Sequence, residues 1–183
     1  MSSCFFLDDV SSLFMLLIIS SATLATSSRL QGKDLVSNAC SHTQFYEVCV
    51  STLKSDPQNE KSDIRGLADI ALNVSTAYGM ETLSHINSLK FSPGNYTPFA
   101  SRCLSDCMEE YSDAVDNLQE SAQALRTKSY TTVNTLVAAA MTDSDTCEGG
   151  FGEMPGNEPP LTQRNQYFYK LCSNFLAITT LLS

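Results

Sequence analysis

The chain has 183 residues, enough for one domain with a core of its own, and 43% of them are hydrophobic, a share that excludes a disordered chain. Its net charge is −9 and its 11 basic residues are scattered rather than clustered, so it lacks the basic face that a nucleic-acid binder needs.

Residues 1–27 read as a secretory signal peptide, which leaves a single domain over 28–183. Leu13 to Ile19 form an apolar core, and small residues follow through Ser28, with Ala25 or Ser27 as the last residue of the cleaved peptide. The core is shorter than the ~20 residues that span a bilayer, so no membrane segment is expected after cleavage. The region before it carries Asp8 and Asp9 where basic residues are usual, and a retained N-terminal anchor is the alternative. Removal of the peptide takes away Asp8 and Asp9 and leaves 11 basic against 18 acidic side chains, a net of −7.

Cleavage also removes Cys4 and leaves six cysteines: Cys40, Cys49, Cys103, Cys107, Cys147 and Cys172. In a secreted chain this pattern reads first as disulfides. Cys40 and Cys49 bracket ACSHTQFYEVC, where a metal site, a redox pair and a staple compete. On one straight helix the two would lie ~13.5 Å apart, whereas a disulfide needs Cα atoms within ~7 Å. If they pair, the chain reverses between them at His42-Thr43-Gln44 as a small helical hairpin. His42 as a zinc ligand would lack a fourth partner, and no Cys-x-x-Cys supports redox chemistry.

Four helical stripes follow. The first runs through Ile64, Leu67, Ala71, Val74, Tyr78, Thr82, Ile86 and Leu89, with Ser62-Asp63 as its cap and Ser92-Pro93-Gly94-Asn95 as its breaker. Cys103, Cys107, Tyr111, Ala114, Leu118, Ala122 and Leu125 form the second. After a break at Thr127 to Ser129 comes a third with Val133, Leu136, Val137, Ala140 and Met141. Gly149 to Pro160 holds four Gly and three Pro and reads as a loop. Phe168, Leu171, Phe175, Ile178 and Leu182 form the last stripe. The expected fold is all-α, an antiparallel four-helix bundle behind the N-terminal helical hairpin. Cys107 and Cys147 stand at equal distances from the turn near Thr127, so antiparallel helices bring them level and make them the natural pair. Cys103 and Cys107 share one helix face with nearly parallel Cβ directions and do not suit a bond. Cys103 and Cys172 are then free thiols, or bond to each other.

Little catalytic chemistry is on offer. His42 and His85 are the two histidines, and no nucleophile elbow, phosphate loop or zinc-protease motif occurs. Neither an enzyme nor a cofactor or metal is expected. Asn73-Val74-Ser75 and Asn95-Tyr96-Thr97 fit the glycosylation pattern. Glu109, Asp113 and Asp116 recur at steps of four and three, an acidic row offset from Cys107, Ala114 and Leu118. In a bundle of unknown kind such a row is a solvated face.

ACSHTQFYEVCVSTLKSDP, CMEEYSDAVDNLQESAQAL, AAMTDSDTCEGGF, PPLTQRN and LCSNFLAITTLL stand in the order and spacing found in plant invertase and pectin methylesterase inhibitors, and over roughly residues 34–182 the chain resembles that family. The resemblance implies the same bundle and hairpin, bonds Cys40–Cys49 and Cys107–Cys147, and a free Cys172. It implies no catalysis but a reversible, stoichiometric complex with a secreted plant enzyme, in the apoplast or the vacuole. Glu109, Asp113 and Asp116, with Asn134 and Thr146 on the third helix, match positions that face the target in pectin methylesterase inhibitors. Invertase inhibitors resemble one another in a Pro-Lys-Phe motif where this chain has Tyr130-Thr131-Thr132. Pectin methylesterase is therefore the expected target and acid invertase the alternative. A secreted or pollen-allergen-like protein without an enzyme target is the second alternative.

Overall fold

The structure, a computed structural model, describes residues 35–92, 96–153 and 159–183. The expected signal peptide and Asn95 lie outside the described residues. Helix α1 covers residues 35–41 and α2 covers Tyr46–Ser55. The turn between them falls at residues 42–44, where the Thr43 N–H and hydroxyl both donate to the Cys40 carbonyl, at 3.0 and 2.8 Å. This reversal brings the Cα atoms of Cys40 and Cys49 to 5.6 Å, and the two are bonded. The hairpin docks through Phe45: its carbonyl accepts from Asn174 Nδ2 at 3.2 Å, and its ring meets Tyr169 edge-on.

The long helices start where the sequence supplies caps. Asp63 accepts from the Gly66 N–H at 2.8 Å and opens α3, Ile64–Lys90. Thr97 accepts from the Ala100 N–H at 3.1 Å, with Pro98 in the first turn, and opens α4, Pro98–Arg126. Lys128 then takes a left-handed conformation (φ 59°) and turns the chain into α5, Tyr130–Gly152. Helix α6 is Thr162–Thr180. Arg65 donates to the Leu125 carbonyl at 2.8 Å, which also accepts from the Lys128 N–H at 3.1 Å, and so ties α3 to the end of α4.

Among the described residues α3 packs on α4 and α6, and α5 packs on the same two, so α3 and α5 sit across the bundle's diagonal. Tyr111, Phe151, Phe168 and Phe175 fill the centre with less than 2% exposure, each ring contributing about 2–3 kcal/mol by burial. Gly79 lets α3 approach closely: a Cβ there would lie 3.1 Å from the Phe168 ring and 3.2 Å from Val115. Helix α3 buries more than its single stripe, including Ala68, Ile70 and Leu72, because α2, α4 and α6 all pack on it. Val74, Leu136 and Met141 are correspondingly only half-buried.

One boundary differs from expectation. The Gly-rich segment was expected to be a loop from Gly149, but α5 continues through Gly152. Each glycine costs a helix about 1 kcal/mol against Ala. Phe151, 1% exposed, contributes a comparable amount by anchoring the last turns in the core.

Cys107 and Cys147 are bonded, with Cα atoms 4.7 Å apart. Cys103 and Cys172 are buried free thiols. Burial pushes the Cys172 thiol far above its ordinary range, against a smaller opposing effect of the Ser75 hydrogen bond. Non-reducing peptide mapping should return Cys40–Cys49 and Cys107–Cys147, with alkylation of Cys172 only after unfolding. A peptide joining Cys103 to Cys107 would contradict the helical geometry of α4. Among the described residues no helix is long and apolar enough to cross a membrane.

Candidate functional site

Helices α4 and α5 build the site together. On α4, Glu109, Asp113 and Asp116 are all exposed. At about 100° per residue they point almost directly away from the buried row of Cys107, Ala114 and Leu118. A second polar row on α4, Asp106, Glu110 and Asn117, is rotated towards α5. There Asn117 Nδ2 donates to Asp143 Oδ2 at 3.3 Å, across the seam between the helices. At one end of the seam Asp106, Glu110, Thr146, Arg102 and Glu153 line an open groove of about 790 Å³, with the Cys107–Cys147 bond among its walls.

These carboxylates act on one another. Burial raises the pKa of Glu110 above its usual value, and the negative charges of Asp143, Asp113, Asp106 and Glu109 raise it further. Asp143 is raised as well, first by burial; the Asn117 hydrogen bond opposes this and the Asp113 charge adds to it. A raised folded-state pKa means the folded form holds its proton more tightly than the unfolded chain. The corresponding stability is present below the ordinary carboxylate value of 4.5 and is lost as pH rises through the raised one. Glu110→Gln should therefore melt slightly above the parent at pH 7 and with it at pH 4. The difference should stay below about 1 kcal/mol because solvent screens the site. A variant less stable at pH 7 would show that Glu110 is held by an attractive partner instead.

The structure brings Thr146 to the groove beside Glu110. It does not bring Asn134 there. Asn134 is exposed nine residues before Asp143, about half a helical revolution away, on the other side of α5. Asp106, Glu110, Asn117 and Asp143 were not singled out from sequence. Their signal was the Cys107–Cys147 register, since one turn forward on α4 and one turn back on α5 lead to Glu110 and Asp143.

Apart from the groove, a polar chain links three helices. The Tyr111 hydroxyl donates to Asn165 Oδ1 at 2.8 Å, and Asn165 Nδ2 donates to Glu148 Oε2 at 2.7 Å. Glu148 Oε1 accepts from the Thr162 hydroxyl at 2.5 Å. Glu148 thus puts a carboxylate at the start of α6, where the helix dipole favours negative charge and no side-chain cap is present. The histidines lie elsewhere. His42 is exposed at the hairpin turn, and His85 is half-buried on α3. Burial, and then the Arg164 charge, hold the His85 pKa below its ordinary value. Arg164 in turn pairs with Glu81 at 3.1 Å. Among the described residues no three His, Cys, Asp or Glu side chains are placed to hold a metal ion.

The fold and site thus define a disulfide-stapled four-helix bundle with an acidic face built from α4 and α5. The profile described as Plant invertase/pectin methylesterase inhibitor matches residues 34–178, and the chain belongs to that family. It is 34% identical over 137 residues to a Platanus acerifolia protein that carries an invertase-inhibitor name, covering 75% of each chain. It is 30% identical over 173 residues to the pectinesterase inhibitor of Actinidia deliciosa, covering 94% of this chain and 92% of that one. The crystal structure of a mutant pectin methylesterase inhibitor from Arabidopsis superposes with a TM-score of 0.65 at 22% identity, over 78% of this chain and 93% of that one, and supports the fold.

Proposed function

We propose that the chain inhibits a pectin methylesterase by laying the α4–α5 face across the enzyme's cleft in a reversible, stoichiometric complex. The apoplast is the proposed place of action. The observation that carries this reading is the pair of acidic rows, Glu109-Asp113-Asp116 outward and Asp106-Glu110 at the seam, which suits a cleft edged with basic groups. Thr146 at the groove is the proposed polar contact from α5, and Asn134, on the other side of that helix, is left outside the proposed face.

An acid invertase is the second reading, favoured by the name of the Platanus relative and by a 30% identical Arabidopsis protein named as a cell wall or vacuolar inhibitor of fructosidase. Against it, α5 opens on Tyr130-Thr131-Thr132, which offers no cation to insert into an active site.

The test is titration of the purified, oxidised protein against a plant pectin methylesterase and a plant acid invertase at mildly acidic pH. Inhibition of the esterase with one-to-one stoichiometry is expected, and it should weaken as salt rises, because a charge-steered complex is screened over ~10 Å at 0.1 M. Inhibition of the invertase alone would replace the first reading by the second. Inhibition of neither would support a secreted protein without an enzyme target.

A further inference from the structure

The Asn73-Val74-Ser75 triplet lies inside α3, and its two working side chains have opposite surroundings. Asn73 is exposed. Ser75 is 0% exposed, and its hydroxyl donates to the Ala71 carbonyl at 2.8 Å. On a helix, residues two apart are turned by about 200° and project to nearly opposite sides, whereas on an extended chain they share one side. An enzyme that reads the Asn amide together with the hydroxyl two residues on cannot reach both while α3 is packed. Unfolded, the triplet presents them together.

We infer that Asn73 accepts an N-linked oligosaccharide only before α3 packs, so that glycan transfer and folding compete for this segment. In the transfer, the Asn73 side-chain nitrogen attacks the anomeric carbon of a lipid-pyrophosphate-linked oligosaccharide. A C–N bond forms, the bond from that carbon to the pyrophosphate oxygen breaks, the amide proton passes to a base of the transferase, and lipid pyrophosphate leaves. No electrons are exchanged with another reagent. Once α3 has folded, the exposed Asn73 side chain leaves room for the sugar outside the bundle.

The experiment uses the full chain made without sugar, in the parent form and as Asn95→Gln, which removes the other triplet. Each is offered to a detergent-solubilised oligosaccharyltransferase with lipid-linked donor, either folded and oxidised or reduced and held unfolded in mild denaturant. The expected result for Asn95→Gln is a mass gain of one oligosaccharide on the unfolded chain and none on the folded chain. Peptide mapping should place the gain at Asn73, and further Asn73→Gln substitution should abolish it. Equal modification of the folded and unfolded chains would overturn the inference. So would an unmodified Asn73 on an unfolded parent chain that is modified at Asn95.

Discussion

Replacing Cys107 and Cys147 together by alanine is expected to lower the melting temperature by roughly 8–16 °C. The bond closes a loop with a sequence separation of 40. In the chain-entropy model such a loop is worth about 4 kcal/mol, and a domain of this size shifts by about 2–4 °C per kcal/mol. The Cys40–Cys49 bond, with a separation of 9, should be worth nearer 3 kcal/mol, and its loss should free the hairpin rather than the bundle. The two effects can be told apart by where amide exchange rises: at the α4–α5 seam in the first case, in α1 and α2 in the second. If both double variants loosened the same region, the hairpin and the seam would form one cooperative unit.

Replacing Glu109, Asp113 and Asp116 by alanine should weaken inhibition about tenfold, taking a few tenths of a kcal/mol to 1 kcal/mol for each exposed charge and 1.4 kcal/mol per decade of affinity. Helix content and melting temperature should hold or rise slightly, because Ala is the best helix former and the substitutions remove mutual repulsion. The effect should sit mainly in the association rate and shrink at high salt. A parallel loss of helical signal and inhibition would mean that the row supports the helix rather than the contact. Unchanged inhibition at low salt would move the contact off this face.

The bundle was legible because its signals are local. A 3.6-residue period and Asp63 as a cap can each be read within one helix, and the Cys107–Cys147 register needs only the position of the turn near Thr127. The end of α5 was not legible from Gly149 and Gly150, since the residue that extends the helix is Phe151, which is buried in a bundle where α5 packs on α4 and α6. The same division runs through the site. Glu109, Asp113 and Asp116 share one face of one helix and can be found by counting. Glu110 and Asp143 meet only through the rotation of α4 against α5, and nothing in either segment alone marks them. Asn134 was chosen by its match to a family position, which says nothing about the side of α5 that it occupies.

The Glu148 carboxylate, held at once by Thr162 and Asn165, fastens the first turn of α6 directly to α5. The placement of α6 is therefore specified by side chains on either side of the connection and not by the covalent path that joins them. Evolution or an engineer can rewrite or lengthen the stretch between residues 153 and 159 and still recover the same register of helices. A fluorescent label or an affinity tag spliced there is expected to ride on the bundle without retuning it, because the buried face of α6, with Phe168 and Phe175, seats the helix as well.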